Sequence, residues 1–282
     1  MQSYLFVPGS NERIIKKALT SDADIVIIDL EDAVAEKEKE NARQLLSTMG
    51  KEADLLQKSV CVRINSIDTV HWRYDLEAVC KSNFKNIMLP KCESAEDIKQ
   101  LVHFIEQNSI KNYLIIPLIE SAKGVLNAYE IAASHESIQR LAFGAVDYSL
   151  DIGATPSKKE TELLFAKSML INSSAAAGIE SPIDCPYIDF NNEEGFIESV
   201  KNAKTLGMQA KLLIHPKQIE LLHKLYMPSE EEIELSKAIV QSFEEALSNG
   251  KAAVAYHGRM IDYPVYEQAK RIISRQSTIG IE

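Results

Sequence analysis

Short runs of apolar and β-branched residues recur along the chain, separated by longer amphipathic stretches. The runs fall at eight places: 4–7, 24–30, 60–64, 86–89, 113–119, 141–146, 181–187 and 210–214. Most are almost continuously apolar, which is typical of strands buried on both faces of a parallel sheet. The stretches between them have the length and spacing of amphipathic helices, for example 93–107, 122–134 and 159–177. Eight strands alternating with helices predict an α/β protein with the closed (β/α)8 TIM barrel fold, rather than an open doubly wound sheet.

The end of the chain carries more residues than a barrel needs. Pro228 and Ser229 precede a row of glutamates, which is the pattern of a helix start, and Asn249-Gly250 is a stop signal. A second helix is expected after Pro264. We therefore predict a barrel over residues 1–226 and a C-terminal helical extension over 227–282 that serves as a lid or an oligomerisation arm.

Composition narrows the class of protein. The chain has 282 residues, of which 45% are hydrophobic and 26% charged, with a net charge of −10, so it is an ordinary globular protein. It has no cluster of Lys and Arg that could bind a phosphate backbone, so we expect no nucleic-acid partner. No apolar stretch reaches the roughly 18 residues of a membrane span, and the first residues lack the basic start of a signal peptide. We expect a cytoplasmic protein with no membrane partner, whose four cysteines are reduced and lie in or near the core.

Polar residues directly after the apolar runs are the candidates for chemistry, because the carboxyl ends of barrel strands share one mouth. Glu120 follows the fifth run and Asp147 the sixth. Two carboxylates on neighbouring strands suit Mg²⁺, which prefers oxygen ligands and keeps several waters. The alternative is that Glu120 caps the next helix and Asp147 forms a salt bridge.

Basic residues also follow the runs. Arg63 could hold a substrate carboxylate in a bidentate pair. It could equally pair with the acidic residues after the second run, which are Asp29, Glu31 and Asp32. Lys91 is either a Schiff-base lysine or, as we favour, an ion-pair partner. His215 is expected to be a hydrogen-bonded histidine at the barrel rim rather than a general base.

Two further segments contain candidate site residues. The turn Pro8-Gly9-Ser10-Asn11 leads from a strand into a helix, so its amide groups could hold an anion such as a phosphate. The chain has no Gly-x-Gly-x-x-Gly and no Walker A motif, which counts against nicotinamide, flavin and ATP sites. Asp262 precedes a helix-starting proline. It is either a helix cap or an acid or base that a neighbouring subunit's tail presents to the barrel mouth.

Taken together and in order, eight segments give the chain a resemblance to a known family. It resembles the citrate lyase beta subunit family of the HpcH/HpaI aldolase superfamily over essentially its full length. The segments are Leu5-Phe6-Val7-Pro8-Gly9, Asp29-Leu30-Glu31-Asp32-Ala33-Val34, Val62-Arg63-Ile64-Asn65, Leu89-Pro90-Lys91, Ile119-Glu120-Ser121, Phe143-Gly144-Ala145-Val146-Asp147, Lys211-Leu212-Leu213-Ile214-His215-Pro216 and Gly258-Arg259-Met260-Ile261-Asp262.

The resemblance implies a (β/α)8 barrel, a Mg²⁺ ion, a homotrimer or homohexamer, and cleavage or formation of a carbon–carbon bond in a β-hydroxyacyl-CoA. Glu120 and Asp147 match the family's metal ligands, and Glu120 also lies near the substrate. Arg63 matches the arginine that holds the keto-acid carboxylate. Asp262 matches the tail aspartate that reaches an adjacent subunit's site in related acyl-CoA lyases. Many members have Arg near the position of Gln2, so the contacts with CoA are not assigned. Many also have Glu at Val146 and Gly at Ala210, departures that concern the packing around the site more than the metal.

The resemblance therefore predicts a lyase of citryl-CoA, citramalyl-CoA or malyl-CoA. The products would be acetyl-CoA and oxaloacetate, pyruvate or glyoxylate, and citrate lyase alpha and acyl-carrier subunits are candidate partners. Two alternatives stay open, a CoA-independent pyruvate-type aldolase of the same superfamily and a non-catalytic CoA-ester-binding subunit. The long tail with Asp262 favours the acyl-CoA branch.

Overall fold

A computed structural model describes residues 2–108 and 111–277. Eight parallel strands form a closed barrel in which each strand pairs with the next along the chain and the last pairs with the first. This confirms the predicted (β/α)8 barrel. The strands are β1 Gln2–Pro8, β2 Ile25–Asp29, β3 Ser59–Arg63, β4 Asn86–Leu89, β5 Leu114–Ile119, β6 Ala142–Phe143, β7 Ile183–Asp184 and β8 Ala210–Leu213.

Helices follow every strand of the barrel. They are α1 Glu12–Leu19, α2 Lys39–Leu55, α3 His71–Ser82, α4 Ala95–Gln107, α5 Ala122–Leu126, α6 Ala128–Ala132, α7 Ala145–Asp151, α8 Leu164–Ala177, α9 Glu193–Leu206 and α10 Lys217–Tyr226. Short 3-10 helices at Glu36–Glu38 and Thr161–Leu163 precede α2 and α8. Several starts have the expected caps: the Ser94 side chain accepts from the amide of Asp97, and Asn192 accepts from that of Gly195.

The barrel interior is filled by alternate strand residues. They include Tyr4, Ile27, Cys61, Met88, Ile116, Leu118, Ala142, Ile183, Ala210 and Leu212. Because side chains alternate along a strand, Asp29 lies on the same face as Ile27, and Arg63 on the same face as Cys61. The register pairs Pro8 with Asp29 and Asp29 with Arg63. These residues therefore lie side by side at the carboxyl end of the barrel.

Strand six is shorter than the sequence predicts. The expected run over 141–146 ends as a strand at Phe143, and Asp147 lies in the first turn of α7 rather than at a strand end. The amide of Gly144 still donates to the carbonyl of Ile119, and the carbonyl of Gly144 then accepts from the amide of Tyr148, so the helix begins there. Similarly, the predicted strand over 181–187 is only Ile183–Asp184. An apolar run does not by itself distinguish a strand from the buried turn of a helix.

The chain divides into two compact units, residues 1–222 and 223–282. The second unit contains α11 Glu230–Ser248, the antiparallel strands β9 Val254–Tyr256 and β10 Arg259–Ile261, and α12 Tyr263–Ser277. Ser229 and Glu232 form the capping box that starts α11. The hairpin was not predicted from the sequence. Its two turn residues, His257 and Gly258, both have positive φ, as a type I′ hairpin turn requires. None of the helices described is both long enough and apolar enough to span a membrane.

Candidate active site at the barrel mouth

A bidentate ion pair joins β2 and β3 at the mouth. Arg63 Nε donates to Asp29 Oδ1 at 2.7 Å and Nη2 donates to Oδ2 at 2.6 Å. Both side chains are buried, and the guanidinium carbon lies 4.9 Å from the centre of the Phe6 ring. Adjacent register positions bring the two residues together, so the pair is a direct consequence of the strand pairing.

Further acidic groups surround Arg63. Its Nη1 lies 3.2 Å from Glu31 Oε2 and 3.3 Å from Asp32 Oδ2. Burial lowers the pKa of Arg63, but the hydrogen bond and charge of Asp29, together with the other two carboxylates, outweigh this and raise it. Arg63 is thus a charged partner of this acidic cluster. Its role toward a substrate carboxylate stays a prediction: Asp29 takes Nε and Nη2, and Nη1, which already faces Glu31 and Asp32, is the group that would turn to a substrate.

Glu120 is the buried carboxylate of the mouth. It follows β5, is 5% exposed, and accepts the backbone amide of Lys91 at Oε2 over 3.0 Å. Burial and the negative charge of Glu31 raise the pKa of Glu120 to about 8, against the opposing effect of Arg63. A carboxylate that is buried next to other negative charges has a strong tendency to bind either a proton or a cation.

Asp147 reaches the same region from α7. It is half-buried, and its negative charge also contributes to the raised pKa of Glu120. Over residues 2–108 and 111–277, no group of three or more His, Cys, Asp or Glu side chains is arranged to hold a metal. Two carboxylates without imidazole or thiolate fit Mg²⁺, whose remaining ligands are commonly water and substrate oxygens. The residues present therefore suit Mg²⁺, and their assignment as ligands stays a prediction.

Lys91 connects the carboxylates. Its ammonium lies 2.7 Å from Glu31 Oε1 and 3.9 Å from Asp32 Oδ1, while its backbone amide binds Glu120. Burial lowers the pKa of Lys91, but Glu31 outweighs this and raises it. A protonated, ion-paired amine is a poor nucleophile, so the geometry favours the ion-pair partner over the Schiff-base lysine.

The first βα turn is built around Gly9. Its amide donates to the carbonyl of Asp29 at 2.8 Å, and the amide of Asn11 donates to the carbonyl of Pro8 at 3.3 Å. The Asn11 side chain caps α1 by accepting from the amide of Ile14. These two amides are engaged within the protein, and the substrate-binding role of Pro8, Gly9, Ser10 and Asn11 stays a prediction.

Two further polar residues, His215 and Asp184, lie at strand ends but stabilise the barrel itself. His215 stacks on Phe190 with ring centres 4.7 Å apart and accepts the amide of Lys217 at Nδ1, as expected of a rim histidine. Asp184 follows the inward-facing Ile183, so it faces the helical layer instead of the mouth. There it ion-pairs with Lys211 and, at 2.9 Å, with Lys167.

Asp262 lies in the second unit, directly before α12. Its Oδ1 accepts the amide of Val265 at 3.3 Å and its carbonyl accepts the amide of Tyr266 at 3.0 Å. Asp262 is therefore a helix cap in this chain. Its role as an acid or base in a neighbouring subunit's site stays a prediction.

Three residues near the mouth were not predicted from the sequence: Lys39, Asp75 and Gly144. Lys39 and Asp75 are buried charges on α2 and α3. One feature of the sequence could have identified Lys39, which is its position in the apolar pattern of α2. It lies three residues before Ala42, on the buried face of the helix that continues with Leu46. A charged residue in the apolar phase of a helix is a reason to look for a polar network.

Comparison with known proteins identifies the family. The family model described as HpcH/HpaI aldolase/citrate lyase matches residues 2–216, and one described as a C–C bond lyase of the TIM-barrel fold matches residues 165–281. Citrate lyase subunit beta of Haemophilus influenzae is 35% identical, with 97% of this chain and 96% of the relative covered. Mitochondrial citramalyl-CoA lyase of Rattus norvegicus is 31% identical, with 99% and 86% covered.

A solved structure agrees with this result. CitE of Mycobacterium tuberculosis, in complex with magnesium, acetoacetate and coenzyme A, is similar with a TM-score of 0.83 and 28% identity, and 98% of each chain is covered. Both the resemblance from the sequence and the barrel are therefore confirmed. The chain belongs to the HpcH/HpaI aldolase/citrate lyase family.

Proposed function

We propose that this protein is a Mg²⁺-dependent carbon–carbon lyase that cleaves a 3-hydroxyacyl-CoA into acetyl-CoA and a 2-keto acid. The observation that carries the proposal is the buried Glu120, which lies near Asp147 and Arg63 at the mouth and whose pKa is raised to about 8. The similarity to citrate lyase subunit beta, citramalyl-CoA lyase and the magnesium complex of CitE supports the same reaction class.

The reaction requires a base for the C3 hydroxyl, a cation for the emerging carbonyl and a proton for the thioester enolate. Glu120 and Asp147 would hold Mg²⁺, which would supply a Lewis acid for the emerging carbonyl. Arg63 orients the substrate carboxylate through Nη1, because Asp29 fixes the plane of its guanidinium. Asp262 of a neighbouring subunit is the acid or base: as the C2–C3 bond breaks, the C3 hydroxyl loses a proton and the thioester enolate gains one at C2.

The acyl group is citryl or a close relative such as citramalyl or malyl. Malyl and citramalyl differ by one methyl group at C3, which is worth only about 1–3 kcal/mol of discrimination in a pocket, whereas citryl carries a charged carboxymethyl group there. CoA esters and keto acids are thus the small-molecule partners. The four cysteines of the chain are free thiols, which suits action in the reducing cytoplasm.

The protein works as a homotrimer or homohexamer. An exposed apolar face on the barrel unit supports this assembly, because such a face is typical of an interface. Leu150 of α7 is 81% exposed, and Val146, Leu164 and Phe165 are exposed as well. Since α7 carries Asp147 and contacts the 3-10 helix that precedes α8, a second copy on this face lies next to the metal ligands.

The experiment is to incubate the purified protein with Mg²⁺ and, separately, citryl-CoA, citramalyl-CoA and malyl-CoA, and to follow keto-acid release by coupled NADH oxidation. We expect cleavage of one ester, lost with EDTA and restored by excess Mg²⁺. Cleavage of a CoA-free hydroxy acid would instead identify the pyruvate-type aldolase. Tight ester binding without turnover, even with citrate lyase alpha and acyl-carrier subunits added, would identify a non-catalytic subunit.

A further inference from the structure

A buried lysine lies behind the acidic cluster. Lys39 is the first residue of α2 and only 9% exposed. Its Nζ donates to the carbonyls of Leu30 at 2.9 Å and Glu31 at 3.2 Å, and to Asn65 Oδ1 at 2.6 Å. All three acceptors are neutral, and within the described ranges no carboxylate lies at ion-pair distance from this ammonium. Burying a cation among neutral groups is costly, so its position calls for an explanation.

Asn65 links Lys39 to a buried carboxylate. Asn65 accepts from Lys39 with Oδ1, while its Nδ2 donates to Asp75 Oδ2 at 2.6 Å and to the Leu30 carbonyl at 2.9 Å. The backbone amide of Asn65 also donates to Asp75 Oδ2, at 2.8 Å. Asp75 Oδ1 accepts from Arg43 Nε at 2.8 Å. We name these four residues, Lys39, Asn65, Asp75 and Arg43, the Lys39 network.

The network holds the backbone that carries the acidic cluster. The peptides of Leu30 and Glu31 follow Asp29 directly, and Asp29 accepts the amides of Glu31 and Ala33, each at 2.9 Å. The amide of Leu30 donates to the carbonyl of Arg63 at 2.9 Å. The same short segment is therefore fixed by Lys39 at its carbonyls and by Asp29 and β3 at its amides.

Glu31 is the side chain that depends most on this arrangement. It is 7% exposed, and its Oε2 lies at ion-pair distance from Arg63 Nη1 but has no hydrogen-bond partner among the described residues. The other oxygen, Oε1, accepts from Lys91 Nζ at 2.7 Å, so the position of Oε2 relative to Arg63 depends on that pair and on the backbone that Lys39 holds.

We propose that Lys39 is a positioning residue of the lyase. Its ammonium fixes the Leu30 and Glu31 carbonyls, and through them the placement of Glu31 and of the Arg63 guanidinium that receives the substrate carboxylate. The effect of Lys39 on catalysis rests on the proposed function, whereas its effect on the backbone of Leu30 and Glu31 does not. An apolar side chain would suffice to anchor α2; only a cation with several donors can hold two carbonyls and an amide oxygen at once.

The test compares Lys39→Met with Lys39→Arg, and uses Lys37→Met as the matched control, because Lys37 is exposed in the preceding 3-10 helix. Turnover of the cleaved ester is measured with saturating Mg²⁺, well below the melting temperature of each variant. We expect Lys39→Met to raise KM roughly tenfold or more, as the loss of outer partners of a site commonly does, with a smaller change in kcat. Lys39→Arg should recover part of the loss and Lys37→Met should match the parent protein.

A merely structural role gives a different result. A lower folded fraction reduces kcat per mole and leaves KM unchanged, and that outcome for Lys39→Met would overturn the proposal. Asp75→Asn should raise KM as well, and the double variant should be less impaired than the product of the single effects, since both act through Asn65. Additive effects would show that Asp75 does not act together with Lys39.

Amide exchange separates failure of this proposal from failure of the proposed function. If the parent protein cleaves no ester, the lyase assignment fails, and the positioning role is then judged from hydrogen exchange alone. Exchange of the amides of Glu31 and Ala33 should be at least several-fold faster in Lys39→Met, with the barrel strands unchanged. Unchanged exchange at these two amides would overturn the role of Lys39 whatever the substrate.

Discussion

Gly144 lacks a side chain where Glu120 needs space. A Cβ atom placed on Gly144 would lie 2.5 Å from Glu120 Cγ and closer still to Oε1. Real Cβ atoms do not come this close to another heavy atom, so any side chain at position 144 displaces the Glu120 carboxylate. Gly144 is also the N-cap of α7, the helix that carries Asp147. One backbone position therefore sets the relation between the two predicted metal ligands.

Gly144→Ala should impair the metal site more than the fold. The new methyl group pushes Glu120 away from Asp147, so we expect Mg²⁺ affinity to fall at least tenfold, measured by calorimetric titration. Gly153→Ala is the control: nothing lies within 4 Å of a Cβ added there, although the φ of +65° at Gly153 is strained for alanine. That variant should lose about 1 kcal/mol of stability and keep its Mg²⁺ affinity. Equal Mg²⁺ affinities in the two variants would contradict the steric argument.

The buried Glu120 should make the metal-free protein less stable as pH rises. Its pKa is about 8 in the folded protein and ordinary in the unfolded chain, so between these values the folded state binds a proton that the unfolded state has released. The contribution of Glu120 to stability is therefore largest below about pH 4.5 and falls as pH approaches 8. With about 1.4 kcal/mol for each pH unit, the loss is roughly 5 kcal/mol.

Glu120→Gln removes this ionisation, so the variant should lose that pH dependence in EDTA and exceed the parent protein in stability above pH 8. Excess Mg²⁺ should stabilise the parent protein, since it binds only the folded state, and should leave Glu120→Gln unaffected. Melting temperatures from pH 5 to 9, with EDTA and with Mg²⁺, measure both effects. A parallel pH profile for the two proteins would contradict the assignment of the raised pKa to Glu120.

Arg63→Lys should weaken substrate binding although the charge is kept. A lysine cannot make the two parallel hydrogen bonds to Asp29 and still present a further donor to the substrate. We expect KM to rise by roughly tenfold or more, equivalent to about 1.4 kcal/mol or more of binding. Arg73→Lys is the control, because Arg73 is exposed on α3. Unchanged KM in Arg63→Lys would leave Arg63 as a structural partner of Asp29 only.

A buried ion-pair cluster behind β7 and β8 should control acid stability. Asp184 is fully buried between Lys211 and Lys167. Burial alone would raise the pKa of Asp184, but the two ammonium groups outweigh it and lower the pKa to about 2. The stabilisation is therefore complete above about pH 4 and is lost as pH falls toward 2.

Asp184→Asn leaves two buried ammonium groups without this partner, and we expect it to cost about 3–5 kcal/mol of stability at pH 7. The exposed Asp54→Asn on α2 should change stability by less than about 0.5 kcal/mol. Urea denaturation at pH 7 and at pH 3 measures both variants. A loss in Asp184→Asn no larger than in Asp54→Asn would show that the cluster contributes nothing.

The barrel and much of its mouth could be predicted from the sequence because they follow from local patterns. Each strand is an apolar run, and the ends of parallel strands meet at one edge, which brings Asp29, Arg63 and Glu120 together without knowledge of distant contacts. The length of β6 could not be read this way, because the residues around Asp147 are apolar enough for either a strand or a buried helical turn.

The Lys39 network could not be predicted, because its members come from two helices and the end of a strand and meet only in the folded chain. The hydrophobic phase of α2 places Lys39 on the buried face, but not its acceptors. Likewise, the requirement for glycine at position 144 depends on a side chain 24 positions earlier in the chain. Such packing constraints are set by tertiary contacts, which local patterns do not report.

The final prediction concerns Asp262. If a neighbouring subunit supplies this group, Asp262→Asn should lose turnover while its KM for the CoA ester changes little, and Glu120→Ala should be inactive with its fold intact. Refolding or co-expressing the two inactive variants together should then restore activity, because mixed oligomers contain sites with Glu120 from one chain and Asp262 from another. Random assembly of equal amounts gives about one quarter of the parent activity in a symmetric oligomer.

Separately purified variants mixed without subunit exchange are the control. No recovery on mixing, with Asp262→Asn inactive, would place Asp262 in its own subunit's site, and full activity of Asp262→Asn would leave it only the helix cap that it forms with Val265.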